Sequence, residues 1–361
     1  MLEASLRPEV ISFAGGLPAP DSFEDIELPA PPRALLQYGP TEGEPALRAR
    51  IVEELRTIGL EQPAERVLVL SGSQQGIDLV AKLCVDAGTP VAVESPAYLA
   101  ALQVFRFFGA SLQTLTPGAL GEGPGPALAY VTPTFQNPTG RCWSIAERKG
   151  LAEACRSRDV VLFEDDPYRE LAYEECERRP VCSFMGGGSW IYQGSFSKVL
   201  SPGLRLGFLV ASKDLFEPLY RLKQAADLHT SRIGQWAALH YLNDPNRPAR
   251  LARLAERYRQ RRDRFAGALE RRLGGLAEWS LPPGGLFFWV RLPDSTDTDA
   301  LLAQAAERGV LFTPGHYFLA DPAGTAAAIR LNFSNASEEE AERGLSILAE
   351  LLRGAPKTRA A

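Results

Sequence analysis

The chain has 361 residues, 45% hydrophobic and 23% charged, with a net charge of −5. That exceeds what one core usually supports, so two domains are expected, and the acidic balance gives no reason to expect a nucleic-acid partner. No apolar run reaches the length of a membrane span, the opening MLEASLRPEV holds no apolar leader, and an odd set of five cysteines without a C-x-x-C fits reduced thiols in a cytoplasmic protein.

Residues 11–23, ISFAGGLPAPDSF, read as an extended arm, because Gly15-Gly16 and nearby prolines punctuate it. Gly39-Pro40 breaks the chain after Tyr38, and Glu44-Pro45 starts a helix with proline in its first turn. Residues 67–70 form a short apolar strand; SGSQQG then leads into an amphipathic helix over 77–86. A strand, a glycine turn and a helix N-terminus make an anion site, through unpaired N–H groups and the helix dipole. Gly72, Ser73 and Gln74 are therefore candidate phosphate ligands.

Residues 90–94 are the next strand, and SPAYLAAL opens another helix; by itself Tyr98 reads as a core aromatic. A buried-type strand over 127–132 ends in PTFQNPTGRCWS, where Asn137-Pro138-Thr139-Gly140 is a turn by composition. A helix over 145–157 and a strand over 160–164 precede EDDPYREL, whose carboxylates alone would pass for solvated loop groups.

Residues 192–210, YQGSFSKVLSPGLRLGFLV, read as a strand, a polar turn and another strand. The turn gathers Ser195, Ser197, Lys198 and Arg205 at the mouth of a sheet. Hydroxyls and a guanidinium suit a phosphate, which arginine binds through two parallel hydrogen bonds. An amine suits a carbonyl, with which lysine forms a Schiff base. A ligand with both an aldehyde and a phosphate is pyridoxal phosphate. Lys198 in isolation would be a solvated surface lysine; its apolar flanks argue otherwise. Ser195 and Lys198 also satisfy the S-x-x-K of penicillin-recognising hydrolases, but the accompanying S-D-N and K-T-G are missing.

Helices are expected over 214–227 and 232–242, then a break at Asn243-Asp244-Pro245 and one long helix over 250–273. The arginines of that helix read as a solvated face. A strand over 284–292, a helix over 299–308, short strands over 310–313 and 328–333 and a helix over 338–352 make a second, α+β domain. His229, His240 and His316 are dispersed and form no metal-ligand pattern.

GSFSKVLSPGLRLG is similar to the cofactor-lysine segment of fold-type I pyridoxal phosphate enzymes, in the class I/II aminotransferase branch. NPTG after a strand, an Asp followed three residues on by a Tyr (Asp165, Tyr168), and Arg330 in AAIRLNFS extend the resemblance from about residue 11 to the C-terminus. It is nearest the 2-aminoadipate aminotransferases and their broad-specificity relatives. The resemblance implies a three-layer α/β/α large domain with a mostly parallel sheet (36–245) and a smaller α+β domain (1–35 with 246–361). It implies a cytoplasmic homodimer with shared active sites, acting on an L-amino acid and a 2-oxo acid such as 2-oxoglutarate. In it Lys198 carries pyridoxal 5'-phosphate as an internal aldimine and serves as general base, in a ping-pong sequence.

The resemblance also assigns the remaining roles. Asp165, rather than Asp166, keeps the ring nitrogen protonated; Asn137 and Tyr168 hydrogen-bond the ring oxygen; Tyr98 stacks on the ring. Gly72, Ser73, Gln74, Ser195, Ser197 and Arg205 hold the phosphate, joined by Tyr38 from the partner subunit. Arg330 clamps the substrate carboxylate, with Gly16 and Asn137 also at the substrate. Two rivals share the scaffold: another pyridoxal phosphate reaction, such as a C–S lyase or decarboxylase, and a regulator domain, which needs a winged helix-turn-helix ahead of residue 11. The additional helical segment with which aminoadipate-type relatives usually begin is largely absent, which leaves side-chain selectivity open.

Overall fold

The computed structural model describes residues 7, 9–22, 28–121 and 125–354. Most of the decapeptide read for a leader, Phe23 at the end of the arm and residues 355–361 lie outside these.

The chain enters through β1 (Ile11–Ser12) and α1 (Pro45–Thr57), whose proline stands where a missing N–H leaves no bond unmade. Then follow β2 (Val67–Leu70), α2 (Ser73–Cys84), β3 (Pro90–Glu94), α3 (Leu99–Phe107), β4 (Ser111–Leu115) and β5 (Leu128–Val131). Next come α4 (Ile145–Ser157), β6 (Val161–Asp166), β7 (Trp190–Ser195), β8 (Gly207–Ala211), α5 (Lys213–Asp227) and α6 (Arg232–Asn243). Ser144 and Glu147 close a reciprocal capping box at the start of α4.

Seven strands form one sheet in the order β2-β8-β7-β6-β5-β3-β4. Only β8 runs antiparallel to its neighbours; the other pairs are parallel. Both faces are covered, which is why strands such as VLVL are unbroken apolar runs. Val67 and Val69 pack with Leu47, Ile51 and Leu151 on one face, while Leu68 and Leu70 pack with Ile77, Val80 and Leu102 on the other. The expected α/β/α layering is thus present.

The second body holds α7 (Arg247–Leu273), β9 (Phe287–Arg291), α8 (Thr298–Glu307), β10 (Val310–Leu311), β11 (Thr313–Pro314), β12 (Ala328–Asn332) and α9 (Glu338–Gly354). β11, β12 and β9 form an antiparallel sheet, and β10 pairs in parallel with β1. Phe13, Phe265, Leu269, Phe288, Ile329 and Leu345 fill its core.

Three expectations change. The helix read over 77–86 starts at Ser73, so Ser73 and Gln74 lie in its first turn rather than ahead of it. The strand read over 160–164 continues to Asp166. The strand read over 310–313 divides at Phe312, its first half pairing with β1 and its second with β12. The edge strand β4, SLQTL, carries no strand signal in the sequence because its half-exposed face shows no apolar run. Among the described residues no helix is long and apolar enough to cross a membrane, and no cluster of His, Cys, Asp and Glu could hold a metal.

Candidate active site

After β7 the chain turns back into β8, and Phe196, Leu200 and Leu206 anchor that turn in the core. The anchoring leaves Ser195, Ser197, Lys198 and Arg205 on one cavity of about 260 Å³. Ser73 and Gln74 reach it from α2, Tyr98 from the start of α3, Asn137 from the turn after β5, and Asp165 and Tyr168 from the end of β6. The site therefore lies beyond the C-terminal ends of parallel strands, where open α/β sheets leave a crevice.

Lys198 is half-buried, and its Nζ donates to the Gly16 carbonyl at 2.9 Å. Burial, reinforced by the positive charges of Arg205 and Arg330, brings its amine down to about 8. Arg205 holds a left-handed backbone (φ +48°), uncommon for a residue with a side chain. Its guanidinium lies so close to Gly72 that a Cβ there would stand 2.5 Å from Nη2. Gly72 thus caps α2 at φ +85° and makes room for Arg205, and it is not itself among the cavity-lining residues. Gly207 is equally constrained, since its Cβ would meet the Ser73 backbone nitrogen at 2.8 Å.

Three consecutive acids end β6, and strand alternation sorts them. Asp165 accepts from Tyr130 Oη and Gln193 Nε2, both at 2.9 Å, and lines the cavity. Asp166 pairs with Arg169 at 2.8 Å, and Glu164 lies 3.9 Å from Arg148. Burial pushes the Asp165 carboxyl up to about 6, against the pull of its two neutral donors.

Arg330 on β12 donates to Asn137 Oδ1 at 2.8 Å, to Thr313 Oγ1 at 3.3 Å and to the Ala14 carbonyl. Its guanidinium lies over the rings of Phe287 and Phe318, and its Nε is buried without a hydrogen-bond partner. Burial lowers it to about 10. Asn137 Nδ2 donates to Tyr168 Oη at 3.5 Å, and burial raises the Tyr168 phenol. Gly16 meets the site through its carbonyl. Tyr38 stands apart: 76% exposed, it sits edge-on to His229, with its backbone carbonyl held by Arg232.

Lys198, Arg205 and Arg330 thus spend their hydrogen bonds on carbonyl, amide and hydroxyl oxygens, and Asp165 on neutral donors. Arg330 and Asp165 are buried, and buried charges without counter-charges are costly. The set fits a ligand that brings anionic groups and one protonated ring nitrogen, together with a carbonyl for the amine. Pyridoxal phosphate and an amino-acid carboxylate meet that description.

Sequence reading missed Thr132 and Pro167, which also line the cavity, and the pair that holds Asp165, Tyr130 and Gln193. Gln193 lies opposite Asp165 in the strand register; a lone amide in the apolar run WIYQG was the available signal.

A family model described as aminotransferase class I and II matches residues 29–348. The chain is 37% identical over 377 residues to the 2-aminoadipate transaminase of Thermus thermophilus, covering 98% of this chain and 93% of that protein. It is 34% identical over 374 residues to aromatic-amino-acid aminotransferase 1 of Thermococcus litoralis, covering 96% and 88%. A crystal structure of the α-aminoadipate aminotransferase of Thermus thermophilus, complexed with N-(5'-phosphopyridoxyl)-L-leucine, matches with a TM-score of 0.84 at 35% identity, covering 98% and 95% of the two chains.

Proposed function

The chain belongs to the class I and II aminotransferases and is a pyridoxal 5'-phosphate-dependent enzyme; from that premise we propose that it moves the amino group of an L-amino acid to a 2-oxo acid such as 2-oxoglutarate, with Lys198 at the reacting centre. One observation carries the reading: a half-buried amine, two guanidinium groups and a carboxylate without a cation converge on a single cavity or its margin.

Arg205, Ser195, Ser197 and the first turn of α2 would hold the cofactor phosphate. Asp165 would hold its ring nitrogen, Asn137 and Tyr168 its ring oxygen, Tyr98 its ring face, and Lys198 its aldehyde carbon. When bound, the cofactor supplies an electron sink that lets a proton leave the substrate α-carbon. Arg330 grips the substrate carboxylate, using its unpartnered Nε, and turns the Cα–H bond toward Lys198. Lowering the Lys198 amine to about 8 enlarges its unprotonated share near neutral pH, so Nζ takes the α-proton and later gives one back. The Gly15–Gly16 arm, Phe287 and Phe318 keep water from these groups.

Donor leaves as oxo acid before acceptor enters, so ping-pong kinetics follow. The relatives' names span 2-aminoadipate and aromatic amino acids, which favours a broad donor range for this chain too. Tyr38, exposed and outside its own cavity, serves the cavity of a second copy in a homodimer.

Purified protein is expected to absorb visible light and to form 2-oxo acids in a 2-oxoglutarate-dependent manner. Lys198→Ala should abolish the visible band and lower turnover about a thousandfold or more. A variant that kept both would overturn the assignment.

A further inference from the structure

Lys223 has no part in the chemistry above, yet its side chain is fully buried on α5. Taking an ammonium out of water is costly unless every N–H finds an acceptor. Here all three do: Gln75 Oε1 at 2.8 Å, the Asp227 carboxylate at 2.7 Å and Thr230 Oγ1 at 2.9 Å. Burial still pulls the ammonium below the ordinary lysine value, while Asp227 opposes that pull.

The acceptors lead to one place. Gln75 Oε1 also accepts the Ser71 backbone N–H at 2.9 Å, and Gln75 Nε2 donates to Asp227 Oδ2 at 2.9 Å. Ser71 Oγ donates to the same carboxylate at 2.7 Å. Thr230 Oγ1 donates to the Val69 carbonyl at 3.0 Å, near the end of β2. Burial would raise Asp227, but the bonds from Lys223, Gln75 and Ser71 outweigh it and hold the carboxyl below its usual range. The network therefore clamps the strand end, the turn and the first turn of α2 to the last turn of α5.

That first turn has N–H groups with no acceptor inside the helix, and Ser73 and Gln74 line the cavity. An untied helix start frays, and frayed N–H groups cannot converge on an anion. We propose that Lys223 and Asp227 are positioning residues for the anion-binding end of the site: through Gln75 and Ser71 they hold the α2 N-terminus so that the Ser73 and Gln74 N–H groups meet the cofactor phosphate. This rests on reading α2 and Arg205 as the phosphate cradle. The ion pair is internally neutral, so it acts through geometry and not through added charge.

The test compares pyridoxal phosphate with pyridoxal, which lacks the phosphate, as ligands of the cofactor-free full-length protein. Lys223→Met should weaken pyridoxal phosphate about tenfold and leave pyridoxal unchanged, with faster amide exchange at residues 73–75. Thr230→Val, which removes the hydroxyl's bonds to Lys223 and Val69 but leaves the Lys223–Asp227 pair and Gln75 in place, should give a smaller loss of the same kind and serves if Lys223→Met does not fold. Arg205→Ala is the control for the cradle. If Arg205→Ala lowers the phosphate preference while both network variants keep it, or weaken both ligands equally, the positioning role is wrong. If Arg205→Ala also keeps it, the cradle itself is misplaced and the proposal goes with it.

Discussion

Asp165 and Asp166 carry the same carboxylate on consecutive residues of β6, and the two sides of the sheet receive them differently. Behind the sheet, Asp166 meets the Arg169 guanidinium and the Tyr192 hydroxyl, so opposite charge answers its burial. On the cavity side, Asp165 meets one phenol and one amide. In charge the first arrangement is balanced within the chain, although Asp166 Oδ1 is buried without a hydrogen-bond partner; the second has both oxygens bonded but no counter-charge. On the proposed reading, counter-charge separates a carboxylate that builds the fold from one that serves a ligand.

The pair can be tested by exchanging what each has. Asp165→Asn should lower kcat about a hundredfold with the fold intact, because a neutral amide cannot keep the ring nitrogen protonated. Asp166→Asn should instead destabilise by about 3 kcal/mol, since it leaves Arg169 buried without its partner, while folded molecules keep turnover. Denaturant unfolding beside steady-state kinetics separates the two, and a reversed pattern would end the distinction.

The pH dependence sharpens it. The folded protein holds the Asp165 proton up to about pH 6, against a usual value of 3.8. Below pH 4 the carboxyl is neutral in both folded and unfolded chains and carries no penalty. As pH rises to 6 the unfolded chain gains by ionising first, so the cofactor-free protein should lose about 3 kcal/mol over that window and stay at the lower level above it. The component should vanish in Asp165→Asn; an unchanged profile there assigns it to another group.

The smallest effect concerns Tyr38, which the comparison leaves on neither side. Tyr38→Phe should weaken pyridoxal phosphate about fivefold, the ~1 kcal/mol of one hydrogen bond. Mixing it with Lys198→Ala, whose Tyr38 is intact, should return ordinary affinity to the sites that retain Lys198. Affinity that does not respond to mixing would place Tyr38 outside any shared site.

Where the sequence was legible, the reason was local. Lys198, Ser197 and Arg205 lie within one turn between two strands, so their residue types point to them, and the Asp-then-Tyr spacing that the resemblance brings picks out Asp165 and Tyr168 at one strand end. The same spacing favours Asp165 over Asp166, and strand alternation puts the two on opposite faces. Distant pairings were not legible. Gln75 and Lys223 are 148 residues apart, and Gln193 meets Asp165 only through the sheet register. Gly72 is a candidate ligand by its place between a strand and a helix N-terminus, and the structure adds that its missing side chain accommodates Arg205. The start of α2 is not marked in the sequence because SGSQQG looks like a loop by composition, and helix starts prefer those same residues.

The pairing of β1 with β10 has a consequence for how the molecule is made. Ala14 accepts from Thr313, 299 residues further along, and Asn332 bonds the Gly15 carbonyl. A ribosome therefore releases the segment that roofs Lys198 long before its anchors. Until those anchors emerge the Lys198 amine has its floor without its ceiling, and closing that ceiling waits on a contact across most of the described chain.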